Sequence, residues 1–118
     1  MKILIIDDEP GVVSMLVEWL SQRGHEAVGI TGGKDAASWV KNKEFELVLL
    51  DVKLPDSDGL ELIAAIVKAG ARVVVMSGSP RESWVGQALL KGAMDCLDKP
   101  ISLVHLRRIL ERLERSGR

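Results

Sequence analysis

Leu47-Val48-Leu49-Leu50-Asp51 is apolar at every position until it meets a carboxylate. A strand with one solvated face alternates apolar and polar residues, whereas an unbroken apolar run suits a strand of a parallel sheet covered on both faces. Working outward, similar short runs stand at Ile3 to Ile6, Glu26 to Ile30, Val73 to Met76 and Met94 to Leu97, the second and last being the weaker. Segments of helical periodicity lie between them. Val12, Val13, Leu16, Val17 and Leu20 share one face of a helix ending near Gly24. A second helix is expected over Lys34 to Lys43, with Ala36, Ala37 and Val40 inward. Leu60, Ile63, Ala64 and Val67 mark a third, with Asp58 as N-cap and Gly70 ending it. The fourth runs from about Pro80 to Lys91, with Pro80 in its first turn, and the last carries Leu103, Leu106, Ile109, Leu110 and Leu113 behind a Ser102 N-cap. Strict alternation of strand and helix implies right-handed crossovers and a parallel sheet with helices on both faces.

The 118 residues fit one domain, and the tail Arg115-Ser116-Gly117-Arg118 is expected to fray. With 47% hydrophobic and 28% charged residues, the chain has the composition of a globular protein with a core, which argues against disorder. A net charge of −1 gives no basic field to draw it to nucleic acid or an anionic membrane. Its one cysteine, Cys96, forms no intramolecular disulfide and suits a reducing compartment. The apolar start Ile3 to Ile6 is stopped by Asp7-Asp8-Glu9, too soon for a signal peptide. No apolar stretch reaches the roughly 20 residues of a membrane span, so a cytoplasmic location is expected.

The chemistry is read from the residues just beyond each strand. Asp7 and Asp8 come after the first and Asp51 after the third, at the carboxyl edge where ligands sit in such sheets. Three carboxylates there repel one another, and a hard divalent cation such as Mg²⁺ relieves them. The plainer reading of Asp7 and Asp8 is that they cap the first helix. Asp51 is harder to explain away, because an ionised group ending a wholly apolar run costs stability unless paired. Ser77 comes after the fourth strand, and Lys99 after the fifth, immediately before Pro100. Three carboxylates, a hydroxyl and an ammonium thus gather at the ends of four strands.

This constellation resembles the receiver domains of two-component signalling. The matching features are Asp7-Asp8-Glu9, the segment Asp51-Val52-Lys53-Leu54-Pro55-Asp56-Ser57-Asp58-Gly59, Ser77, the Gly92-Ala93 lead-in and Lys99-Pro100, in register from about Ile3 to Leu113. The resemblance implies a flavodoxin-like, doubly wound α/β fold, with a five-stranded parallel sheet of order 2-1-3-4-5 and five helices. It implies that Asp51 is the phosphoacceptor, taking a phosphoryl group from a sensor histidine kinase, a phosphotransfer protein or an acyl phosphate. Mg²⁺ would be held by Asp8, Asp51 and the backbone carbonyl of Lys53, with Asp7 acting through water. Lys99 would offset phosphoryl charge, and Ser77 would donate a hydrogen bond to the same group. A cis Lys99–Pro100 peptide is expected. Output would pass through the fourth helix, fifth strand and fifth helix to an effector domain or protein target, with homodimerisation on phosphorylation a further expectation.

The sequence departs from the family at Cys96, where an aromatic residue or histidine often stands three residues before the lysine. The usual aromatic rotation is therefore not the switch; the simplest reading of Cys96 is a small buried hydrophobe. Lys53 and Ser79, each two residues beyond a site residue, are expected to line the approach to the phosphoryl group, with a solvated surface lysine as the plain alternative for Lys53. Gly86 inside the fourth helix costs about 1 kcal/mol against Ala, favouring a mobile helix or permitting close packing. Trp19, Trp39 and Trp84 read first as packing residues, and Trp84, on the expected output face, is also a candidate partner anchor. His25 and His105 fit no metal or nucleophile pattern. Arg107, Arg108, Arg112 and Arg115 alternate with Glu111 and Glu114, as on a solvated helix face.

Three other functions compete with this one. A receiver-like module working without phosphorylation would not need all five site residues. A flavodoxin-type electron carrier needs a hydroxyl- and glycine-rich phosphate loop where Asp7-Asp8-Glu9 stands. An aspartyl-nucleophile phosphohydrolase needs a second Asp two residues on, where Lys53 stands.

Overall fold

The computed structural model describes residues 1–79 and 84–116. Its strands are β1 (Lys2–Ile6), β2 (Glu26–Ile30), β3 (Leu47–Asp51), β4 (Lys53–Leu54), β5 (Ser57–Asp58), β6 (Arg72–Ser77) and β7 (Asp95–Asp98). Its helices are α1 (Pro10–Gln22), α2 (Ala36–Lys43), α3 (Gly59–Lys68), α4 (Val85–Leu90) and α5 (Leu103–Arg115). Five strands form one parallel sheet in the order β2-β1-β3-β6-β7, the doubly wound arrangement the alternation predicts. The two-residue strands β4 and β5 form a small antiparallel hairpin that sequence pattern did not reveal.

The apolar runs alternate across the sheet, which puts half of each on either face. Leu4, Ile6, Val48, Leu50, Val73, Val75 and Cys96 belong to the buried cluster under α2, α3 and α4. Ile3, Ile5, Leu47, Leu49, Val74, Met76 and Leu97 belong to the cluster with α1 and α5. Leu106, Ile109, Leu110 and Leu113 are buried as expected. On α3 the inward stripe departs from expectation: Ile63 and Ile66 are buried while Ala64 and Val67 are exposed. Ala37 on α2 is likewise exposed, with Ala36 and Val40 buried beside it.

Caps follow the residues that favour them. Asp58 accepts a hydrogen bond from Leu60 N at 3.0 Å, and Ser102 one from His105 N at 3.1 Å. Each such cap contributes about 1 kcal/mol. The tail is better held than expected: α5 includes Arg115, and Ser116 Oγ donates to the Leu113 carbonyl at 3.0 Å. The expected start of the fourth helix at Pro80 lies outside the described residues, and among those described α4 begins only at Val85, with Trp84 as its N-cap residue. The Lys99–Pro100 peptide is cis.

Candidate functional site

Strand register brings the chemistry together. Ile6 pairs with Leu50 across β1 and β3, so Asp7, the next residue, stands level with Asp51. Asp51 pairs with Met76, Ser77 pairs with Asp98, and Lys99 comes directly after. The carboxyl edge of the sheet therefore carries Asp7, Asp51, Ser77 and Lys99 on four adjacent strands. Among the described residues the buried polar or charged side chains are Asp7, Asp51 and Ser77, at 0%, 4% and 1% exposure. Polar groups buried together at one sheet edge point to a use for them.

One local device holds all three. Glu9 N donates to Asp7 Oδ1 at 2.9 Å, Lys53 N to Asp51 Oδ1 at 2.9 Å, and Ser79 N to Ser77 Oγ at 3.0 Å. In each case the backbone two residues on turns back to the side chain, fixing it at the strand end. Gly59 allows the chain to leave β5 closely, since a Cβ there would collide with the Val52 carbonyl. Asp56 fastens this corner to the loop after β2, accepting from Gly33 N at 3.0 Å and Lys34 N at 3.1 Å. Those amide hydrogen bonds, Gly33 first, hold its carboxyl below the ordinary range.

Lys99 closes the site. Its Nζ stands 2.7 Å from Asp7 Oδ2, 2.8 Å from Glu9 Oε1 and 3.0 Å from Asp51 Oδ2. Burial alone would push this ammonium down, but the three carboxylates outweigh it and hold it above the ordinary lysine range. Burial also pushes the Asp51 carboxyl up, against the opposing pull of the Lys53 amide and Lys99. The contact of Glu9 with Lys99 was missed in the sequence, where Glu9 read only as the third of an acidic run.

The same residues suit a hard cation. Asp7, Asp8, Glu9 and Asp51 each offer a carboxylate oxygen within 4.8 Å of the others. Asp7 Oδ2 is buried and faces the Lys99 ammonium at 2.7 Å. Such an atom, in an all-oxygen donor set, fits a divalent ion or its bound water. Neither Asp7 nor Asp8 caps α1: Glu9 is the N-cap residue, and no side chain bonds there.

The remaining candidates scatter in burial. Lys53 has an exposed side chain, Ser79 is half-buried, and Cys96 is buried in the cluster under α4. Trp84 is only 4% exposed, and its indole N–H donates to the Ser79 carbonyl at 3.2 Å. It is therefore a core residue, as the packing reading has it, and not the surface anchor of the alternative. Exposed apolar side chains nearby are instead Leu89, Leu90 and Val104, Leu90 at 88%. His25 and His105 stand away from the site, against Glu114 and Asp95 respectively. Arg112 pairs with Asp95 at 2.8 Å, as a solvated α5 face predicts. No helix among the described residues is long and apolar enough to cross a membrane.

Comparison with known proteins agrees with this geometry. Residues 3–111 match the family described as response regulator receiver domain. The chain is 31% identical to the DNA-binding transcriptional regulator NtrC of Azospirillum brasilense, over 93% of this chain and 23% of that protein. It is 29% identical to the chemotaxis protein CheY of Thermotoga maritima, over 84% of this chain and 85% of that one. The chain spans about half or less of the length of the transcriptional regulators it matches. A crystal structure of a Burkholderia pseudomallei response regulator, with a phosphorylated aspartic acid, a calcium ion and citrate, is 27% identical. It aligns with a TM-score of 0.83 over 89% of this chain and 63% of that one. With its fold, its acidic strand ends and its matched residues in agreement, this chain belongs to the response regulator receiver domain family.

Proposed function

We propose that the chain is a signalling phosphoacceptor in which Asp51 accepts a phosphoryl group from a phosphohistidine of a sensor histidine kinase or phosphotransfer protein, or from an acyl phosphate. The observation that carries this reading is the burial of Asp7, Asp51 and Ser77 at one sheet edge with Lys99 among them. An Asp51 carboxylate oxygen attacks phosphorus as the bond to the donor histidine nitrogen, or to the acyl oxygen, breaks. An aspartyl phosphate forms, and the donor leaves with the bonding electron pair. Such transfer needs positioning and charge neutralisation more than covalent chemistry. Lys99 supplies charge to the phosphoryl oxygens, and the Ser77 hydroxyl donates to one of them. Asp8, Asp51 and the Lys53 carbonyl would hold Mg²⁺, with Asp7 through water, and the ion would neutralise phosphoryl charge. The Lys53 side chain and Ser79 border the approach. The protein catalyses only its own phosphorylation and dephosphorylation.

The added charge then biases the surface of α4, β7 and α5 towards an effector domain or protein target, or a second copy of the chain. Exposed Leu89, Leu90 and Val104 on that surface support this route. We further place the chain as one cytoplasmic domain that does not itself bind nucleic acid or membrane.

Intact mass after incubation with acetyl phosphate and Mg²⁺, beside Asp51→Asn, tests the chemistry. A phosphoryl increment that needs Mg²⁺ and Asp51 is expected. A folded protein that gains no phosphoryl group from acetyl phosphate or from kinases would leave a phosphorylation-independent module as the better reading. Size-exclusion chromatography with and without beryllofluoride tests dimerisation, and an unchanged monomer counts against it.

A further inference from the structure

By alternation along β6, Ser77 lies on the sheet face of Val75, the face covered by α2, α3 and α4. Cys96 of β7 belongs to the same face, and with Ala88 and Ala93 it makes this part of the core small-sided. Trp84 shares that buried cluster. Its ring supplies aromatic bulk from the start of α4 where β7 has none.

Two hydrogen bonds through a single residue join the ring to the site. Ser79 receives the indole N–H on its carbonyl at 3.2 Å, and its own N–H donates to Ser77 Oγ at 3.0 Å. The Ser77 oxygen is thus held as an acceptor by the same residue that Trp84 anchors. Trp84 is also the N-cap residue of α4, and its carbonyl accepts from Ala88 N at 3.0 Å. Movement of the Ser79 backbone therefore loads both the hydroxyl at the site and the first turn of the helix. A buried indole is stiff and well packed, so it transmits such a displacement instead of absorbing it.

We propose that Trp84 is a positioning residue for Ser77, acting through the Ser79 backbone, and that through it the state of Asp51 reaches α4. This rests on the reading of Asp51 as phosphoacceptor. The Ser77 hydroxyl can donate to a phosphoryl oxygen only from where the Ser79 N–H and the indole place it. Removing the indole N–H loosens the hydroxyl in the transition state while leaving the attraction of Lys99 for the donor untouched.

The test uses the otherwise unchanged protein with 5-fluorotryptophan at its three tryptophans, Trp19, Trp39 and Trp84. Fluorine-19 NMR follows the Trp84 resonance, assigned by its loss in Trp84→Phe. Saturating beryllofluoride with Mg²⁺ is expected to shift that resonance and to leave Trp19 on α1 in place, whereas in Asp51→Asn neither resonance moves. Trp84→Phe is expected to slow phosphorylation at saturating acetyl phosphate by roughly two- to tenfold, the range of one net hydrogen bond. The half-saturating donor concentration stays unchanged, which a merely loosened fold would not ensure. A protein that takes the phosphoryl group on Asp51 while its Trp84 resonance stays still overturns the proposal alone. That measurement holds even if Trp84→Phe fails to fold, because Trp19→Phe and Trp39→Phe assign the remaining resonance by elimination. A protein that neither takes the phosphoryl group nor binds beryllofluoride brings down the phosphoacceptor reading and this proposal together.

Discussion

Glu9 and Lys99, 90 residues apart in the chain, meet at 2.8 Å beside the acidic site. The ammonium that offsets charge at Asp51 is thus shared with a side chain that is 59% exposed. Glu9→Gln removes one of the three negative charges around Lys99 without disturbing the other two. Solvent screens the pair, so the gain is small: phosphorylation by acetyl phosphate at saturating Mg²⁺ rises roughly two- to fivefold. The half-saturating Mg²⁺ concentration rises as well, because a nearby carboxylate is lost. Initial rates across a Mg²⁺ series read both effects, and rates that coincide with the parent protein would show Glu9 to be a bystander.

Asp7 and Asp51 put two carboxylates side by side in a buried site, an arrangement that serves chemistry at the expense of the metal-free fold. Asp51→Asn keeps the shape and removes one charge. In chelator it is expected to raise the thermal midpoint by about 4 °C, equivalent to about 1 kcal/mol for a domain of this size. Excess Mg²⁺ narrows the gap. A lower midpoint in the variant would mean that pairing with Lys99 outweighs repulsion from Asp7.

His25 gives the fold a pH dependence remote from the site. Its Nδ1 lies 3.0 Å from the Met1 ammonium, and burial first, then that ammonium, push the imidazole below its ordinary range. Glu114 and Glu46 pull the other way, and Arg23 adds to the depression. The folded chain therefore binds this proton less tightly than the unfolded one. Its contribution is complete above the ordinary imidazole range and is lost as pH falls through it towards the lower folded value. Urea midpoints between pH 5 and 8 are expected to fall on acidification, and more shallowly in His25→Gln. Parallel profiles for the two proteins would exclude His25 as the source.

Gly86 sits within α4, and among the described residues no neighbour beyond its own helix backbone lies within 4 Å of where a Cβ would be. Close packing therefore does not require the glycine. Gly86→Ala is expected to stabilise the protein by up to about 1 kcal/mol through helix propensity. Denaturant unfolding checks this, and a destabilised variant would point to a backbone need not visible in the packing.

The sheet was legible because its strands are apolar at every position, and the site because its residues stand where those strands end. Asp51 announced itself by ending such a run. What the sequence hid depends on distance and on short pieces. β4 and β5 have two residues each, too few for any periodicity to show. Asp56 finds its partners at Gly33 and Lys34, and Glu9 finds Lys99, through folding that no local pattern encodes. Ile66 and Val67 are both apolar neighbours on α3, so composition alone did not choose which faces inward. The burial of Trp84 likewise depends on the fold, in which it shares a core cluster with Ala88, Ala93 and Cys96.

The sheet order has a consequence for how the protein is made. Lys99 arrives with β7, an edge strand and the last of the sheet to be synthesised, whereas Asp7, Glu9 and Asp51 are made earlier. A ribosome-bound chain folding from its N-terminus therefore carries the acidic cluster before its cation exists. A fragment broken off between β3 and β7 retains Asp51 without Lys99, and on the proposed reading such an incomplete copy is silent.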